Sequence, residues 1–195
     1  MTKIINIPIA DWNQACSSAI HEHALYELEE GGVLFLPRLG FTIGEDEAPF
    51  LSPKIAGKSK NVSFDISTGK LRGSSAGAAE IRHLQSMMHR FAIYSNELLF
   101  NVLPHYKAGL IQSRTSFRPV EIAERLTSWR KDDTRLHVDS FPSSPVQDKR
   151  ILRVFSNVNP KGLSRRWKLG ESFERVASRY LPSLSSPVWG ISQFL

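Results

Sequence analysis

An imidazole and a carboxylate stand two positions apart in the run from Ser128 to Pro142, where His137 and Asp139 flank Val138. In an extended chain successive side chains alternate between faces, so these two would project together while Val138 takes the opposite side. Such a pair can fill two neighbouring corners of an octahedral iron(II), leaving positions for a second histidine, a chelating keto acid and oxygen. The triplet alone also fits a strand-end histidine hydrogen-bonded to a nearby carboxylate with no metal present.

Acidic ligands at such a site would need cations, and the planar fork of arginine suits carboxylates. Arg118, Arg135 and Arg153 lie close to the triplet in sequence. Arg153 sits between apolar neighbours, where a charge is costly unless it meets an anion. Arg118 and Arg153 are therefore the candidates for cosubstrate carboxylates, although each also fits a structural salt bridge. Arg135 and Trp167 are the candidates for substrate contact. Trp167, within Ser164 to Lys168, combines an aromatic face with three cations, which suits stacking on a sugar beside acidic groups and also fits a solvated basic loop. His83 and His89 have the spacing of helix-surface residues. His105 is the one upstream histidine that could replace a ligand, and its place after Pro104 fits a helix-end cap as well.

The elements that must position these groups can be read from periodicity. Trp12 to Glu30 lacks Gly and Pro and has helical spacing, with Asp11 as the expected N-cap and Gly31-Gly32 as the stop. Val33 to Leu36 is a short apolar run closed by Pro37, expected to be a buried strand. Residues 40–77 are punctuated by Gly, Ser, Pro and Lys and are expected to form loops with one or two short strands such as Val62 to Ile66. The longest helix is expected from Ala78 to Leu103, where Ile81, Leu84, Met88, Phe91, Leu98 and Val102 recur at three- and four-residue steps before Pro104. Ile151 to Asn159 reads as a second apolar strand, and Ser172 to Tyr180 as a final short helix.

Composition sets the outer bounds. The chain has 195 residues, 41% hydrophobic, enough for one domain with its own core. A net charge of +6 favours anionic partners without saying whether these are nucleic acid, glycolipid, membrane surface or small dicarboxylates. The single cysteine, Cys16, excludes an internal disulfide framework and a zinc site built from several thiolates. No apolar stretch approaches the length of a membrane span, and the N-terminus lacks a leader pattern, so a cytoplasmic location is expected.

The stretch from Thr115 to Pro182 closely resembles the bacterial hydroxylases of 3-deoxy-D-manno-oct-2-ulosonic acid (Kdo), the inner-core sugar of lipopolysaccharide. The blocks RLHVDSFPSSP and RILRVFSNVNP carry it, and GGVLFLP with the Ala78 to Leu103 helix extends it less sharply toward the N-terminus. The resemblance implies an iron(II)- and 2-oxoglutarate-dependent dioxygenase in which His137 and Asp139 are metal ligands. 2-Oxoglutarate would be converted to succinate and CO2 while oxygen enters a C–H bond of the sugar. It implies an α+β fold, a partial double-stranded β-helix of jelly-roll type with N-terminal helices packed on it. Residues 1–110 would be mainly helical support, and 111–195 the start of the jelly-roll core.

The family pattern also calls for a second metal histidine and a late arginine downstream, and no histidine follows His137. The expectation is thus a single, C-terminally incomplete domain with weak or no activity. The implied partner is an anionic Kdo-lipid A glycolipid, with peripheral contact at the inner face of the inner membrane. A sugar- or lipid-binding module without catalysis is the alternative. Nucleic-acid binding ranks last, because no helix-turn-helix, zinc-finger or RNA-stacking pattern accompanies the charge.

Overall fold

The computed structural model describes residues 3–57, 59–119, 137, 146–165, 167 and 169–183. Its first unit is a strand–helix–strand crossover. Strand β1 (Ile4–Asn6) pairs in parallel with β2 (Val33–Phe35), Ile5 opposite Leu34, and helix α1 (Ser18–Glu29) lies between them in the chain. Parallel neighbours require such a crossover, since a tight turn can only return the chain antiparallel. The Val33 amide reaches the Lys3 carbonyl at 2.8 Å and the Ile7 amide reaches Phe35 at 2.8 Å, which extends the pairing at both ends.

α1 starts later than its pattern suggests. Ser17, and not Asp11, occupies the N-cap position. The reason lies in Trp12, whose indole N–H donates to the Gly40 carbonyl at 3.0 Å and whose rings pack against both hydrophobic clusters. Residues 11–14 are taken up by the turn that seats it, the Gln14 amide bonding the Asp11 carbonyl. The C-terminal stop is as expected. Gly31 adopts φ +79°, and the Gly32 amide donates to the Glu27 carbonyl at 2.7 Å, a left-handed exit that a side chain would strain. β2 is not the buried strand expected from its apolar run. Val33 and Phe35 are exposed and only Leu34 turns inward, because a two-stranded sheet has one packed face.

The second sheet is antiparallel, in the order β4 (Lys70–Arg72), β3 (Val62–Asp65), β5 (Thr115–Phe117). β3 alternates as a half-buried strand should, with Val62 and Phe64 in the core and Ser63 and Asp65 outside. The β3–β4 connection closes on Asp65, whose carboxylate accepts from the Ser67 amide and hydroxyl and from the Thr68 amide.

Helix α2 (Ala78–Val102) ties the two units together. At 1.5 Å per residue its 25 residues run about 37 Å. Leu84, Met87 and Met88 pack with Phe41, Val62 and Phe64 in one cluster, while Leu98 and Val102 pack with Ile7, Ile9 and Ala24 in another. Its N-terminus is half a capping box: the Glu80 carboxylate accepts from the Gly77 amide at 2.8 Å, and glycine has no side chain to reciprocate. The helix ends at Pro104, which cannot donate the next helical bond.

Among the described residues one acid lies in this interior. Glu47, 9% exposed, accepts from the Gly44 amide at 2.9 Å and pairs with Arg90 of α2. Arg90 also donates to the Thr42 carbonyl at 2.9 Å and sits 4.4 Å from the Phe41 ring centroid. The loop before β3 is thereby fixed on the long helix by a partner for every buried polar group.

Beyond β5 the described chain changes character. Residues 151–159 form no strand, contrary to their apolar pattern. Exposure still alternates: Val154 and Val158 pack on the second and first clusters respectively, while Arg153, Phe155 and Asn157 face outward. The side-chain alternation of a strand is present without a strand's ladder. Helix α3 (Phe173–Tyr180) follows, one residue inside its expected start.

Candidate functional site

His137 is exposed, and its imidazole is therefore not a packed core group. Asp139 and Arg135 lie outside the described residues. Among the described residues no group of three or more His, Cys, Asp or Glu side chains is arranged to hold a metal ion. The one cysteine has its thiol pKa raised by burial, which disfavours the reactive thiolate.

Arg118 follows the last residue of β5 directly and is exposed, so the Val62–Phe117 pairing fixes the backbone from which it extends. Arg153 is exposed as well and faces the side away from Val154. Its neighbours Val154 and Val158 lie against the core on the opposite parity. His83, His89 and His105 are also exposed; His89 lies edge-on to Phe64 at 6.1 Å. The helix-surface reading of the first two is what the structure shows.

Trp167 has a well-defined setting. The chain turns back between Asn157 and Leu163, where the Asn157 side-chain amide donates to the Leu163 carbonyl at 2.8 Å. Asn159 shapes the turn by accepting from the Lys161 amide at 2.8 Å, and Gly162 takes φ +66°. This return brings Phe155 against Trp167, ring centroids 4.7 Å apart, and puts the Arg165 guanidinium 4.9 Å from the Trp167 ring. Trp167 remains 52% exposed, leaving ring surface accessible beside a cation.

A second cluster was invisible to sequence reasoning. Glu29 at the end of α1 accepts from the Tyr106 hydroxyl and from Arg150, whose Nη1 lies 2.6 Å away. The hydrogen bond from Arg150, then that from Tyr106, holds the Glu29 carboxyl below the ordinary range. Burial, and then Glu29 itself, pushes the Tyr106 phenol up to about 12. These three residues come from well-separated points in the sequence, and together they fasten the segment after the His-x-Asp block to the helical part. Ionisable residues of these types are common on any surface, so only the folded chain identifies them as partners. Phe155 was the more legible omission, since it lies on the outward parity of a strand-like run.

Comparison with known proteins gives one consistent result. The family model described as 3-deoxy-D-manno-oct-2-ulosonic acid (Kdo) hydroxylase matches residues 11–195. Among solved structures, the Kdo hydroxylase KdoO, a non-heme Fe(II) alphaketoglutarate dependent dioxygenase, in complex with cobalt(II) superposes with a TM-score of 0.91 at 42% identity, covering 98% of this chain and 66% of that chain. KdoO in complex with alphaketoglutarate and Fe(III) gives 0.90 at 41% identity, with 99% and 66% covered. KdoO in complex with succinate and Fe(III) gives 0.89 at 42% identity, with 98% and 65% covered. The chain thus spans about two thirds of the length of these relatives. No curated protein matches it. The family model that matches is the family whose hydroxylases the RLHVDSFPSSP and RILRVFSNVNP blocks resemble.

Proposed function

This chain belongs to the Kdo hydroxylase family, and on that premise we propose that it takes part in iron(II)- and 2-oxoglutarate-dependent hydroxylation of the Kdo sugar on a lipid A precursor. The observation that carries the reading is the family match across residues 11–195, which includes the His137-Val138-Asp139 triplet. The donor chemistry fits: an imidazole and a carboxylate are ligands that octahedral iron(II) accepts, and His137 is exposed. His137 and Asp139 would hold the metal, which when bound supplies the oxygen chemistry.

The protein's own part is to bind and orient. Arg118, standing at the end of β5, is the proposed partner for the far carboxylate of 2-oxoglutarate, by bidentate pairing. Trp167, with Arg165 beside it, is the proposed platform for the sugar and its acidic groups, and Arg135 a second contact to the same substrate. Arg153, exposed on the parity opposite Val154, is a second proposed partner for the carboxylates of the cosubstrate. We propose that the three-stranded sheet contributes to one wall of a jelly-roll within a single domain. Its mouth would meet a glycolipid at the inner face of the cytoplasmic membrane; among the described residues no helix is long and apolar enough to cross one.

Iron(II) uptake and turnover of 2-oxoglutarate are expected to depend on these two donors. Calorimetric titration with Fe(II) under anaerobic conditions, paired with succinate release from 2-oxoglutarate, tests this. Asp139→Ala should abolish both signals. Vigorous, iron-dependent succinate release that Asp139→Ala leaves unchanged would remove the triplet from the chemistry. Sugar-lipid binding with no iron uptake would favour the non-catalytic module.

A further inference from the structure

Helix α2 does more than join the two clusters. After Pro104 the chain turns at Tyr106, whose carbonyl accepts from the amides of Gly109 at 2.9 Å and Leu110 at 3.0 Å, and it then runs back along the helix toward β5. Residues 110–114 form neither helix nor strand. Gln112 fixes them to α2. Its side-chain oxygen accepts from the Asn96 side-chain amide at 2.6 Å, and its own amide donates to the Ala92 carbonyl at 2.9 Å, both bonds partly buried.

A carboxamide donates and accepts at once, and positions 92 and 96 lie one above the other on a single helix face. Gln112 therefore recognises a two-point address on α2, and a shift along the helix that kept one bond would break the other. The strand that this address controls begins three residues later. β5 is an edge strand of three residues in which only Phe117 is buried. So short a run specifies its register weakly, and a slip of one residue, about 3.3 Å, turns every side chain to the opposite face. Such a slip would take Phe117 out of its cluster and turn Arg118 toward it. The Asn61 side-chain amide donates to the Ser116 hydroxyl at 3.1 Å, which agrees with the observed register but ties β5 only to its neighbour β3. Gln112 ties the same register to the long helix.

We propose that Gln112 is a positioning residue for the cosubstrate: keyed to Ala92 and Asn96, its carboxamide sets the register in which β5 joins β3 and, through it, the face on which Arg118 stands. The inference rests on the proposed role of Arg118 toward the far carboxylate of 2-oxoglutarate. Bidentate pairing needs the guanidinium and carboxylate planes aligned. A strand that samples other registers presents Arg118 in place for only part of the time, and the apparent affinity falls by that fraction. The keto-acid end of the cosubstrate does not meet Arg118 and does not sense the change. Both bonds of Gln112 are made within residues 92–112, so they do not depend on what covers the outer face of the sheet.

Gln112→Met keeps the length of the side chain and removes both bonds. Calorimetry on the iron(II)-loaded full chain, without oxygen, compares 2-oxoglutarate with pyruvate, a 2-keto acid that has no far carboxylate. Gln112→Met should weaken 2-oxoglutarate binding by about tenfold and leave pyruvate and iron(II) binding as in the parent. Asn96→Ala, which removes one of the two bonds, should fall between. Hydrogen exchange, which needs no ligand, should quicken at the β5 amides in Gln112→Met while the middle of α2 keeps its protection. A loss shared equally by 2-oxoglutarate and pyruvate, as general loosening would give, would overturn the proposal. So would β5 exchange equal to that of the parent. Arg118→Ala separates this inference from the reading beneath it. If Arg118→Ala weakens 2-oxoglutarate binding and Gln112→Met does not, the role of Gln112 is wrong and that of Arg118 stands. If Arg118→Ala changes nothing, the cosubstrate role of Arg118 fails and takes that of Gln112 with it.

Discussion

Residues 3–119 and residues 146–183 obey the same side-chain alternation and reach opposite ends. In the first region Val62 and Phe64 of β3 point into a cluster completed by Leu84 and Phe117, and the backbone between them is paired on both sides. In the second, Val154 and Val158 also point inward, but among the described residues the backbone from 151 to 159 has no ladder and the opposite parity carries Phe155 into solvent. Alternation reports which side each residue faces. Pairing depends on whether a second strand lies at hydrogen-bonding distance, which no pattern within one segment can encode.

The contrast predicts where stability resides. Leu84, fully buried beneath β3, should lose about 3 to 4 kcal/mol when replaced by Ala, because the removed methyls leave a cavity the cluster cannot close. Leu163→Ala, at a residue 60% exposed, should change stability by less than about 0.5 kcal/mol. Urea unfolding of the two variants reads both values. A comparable loss at Leu163 would show that the second region is part of the cooperative core.

Arg90→Ala comes next. It leaves the Glu47 carboxylate buried with only the Gly44 amide to balance it, and removes the bond to the Thr42 carbonyl. The cost should be about 2 to 3 kcal/mol, at or below the low end for a fully buried pair because Arg90 keeps 30% of its side chain in water. Glu47→Ala with Arg90→Ala should recover part of that loss, since no buried charge is then stranded. A double variant as unstable as the single one would show that the loop is fixed by packing and not by the pair.

These experiments also mark how far the sequence reaches. α2 was legible to within a residue because 25 positions of helical period and a closing proline agree. The start of α1 was not, because Trp12 has a helical neighbourhood and a tertiary destination, and the destination prevails. At the site, His137, Arg118, Arg153 and Trp167 are candidates by residue type and by motif, and the fold adds that all four are exposed, which no local pattern announced for Arg153 among its apolar neighbours. Asp139 and Arg135 lie outside the described residues. The bond between Glu29 and Arg150 spans 121 positions, and nothing local to either residue announces it.

That bond is the joint between the two regions and gives the smallest effect expected. Glu29 has its pKa lowered in the fold, so what it contributes is present above the ordinary value of 4.5 and is lost as pH falls through the depressed one. Tyr106 has its pKa raised from 10.0 to about 12, so its share is complete below the lower value and is lost as pH climbs toward the upper. Glu29 keeps 40% of its side chain exposed and Arg150 keeps 74%, which limits the pair to less than about 1 kcal/mol of global stability. Its effect should be local. Hydrogen exchange at the Lys149 amide, which donates to the Val146 carbonyl at 3.0 Å, should quicken in Glu29→Gln and in the parent chain below the depressed carboxyl value, after correction for intrinsic rates. The exchange of α2 amides should not change. Protection at Lys149 that survives both treatments would mean that Val154 and Val158, seated on the two clusters, hold this segment without help from the charged joint.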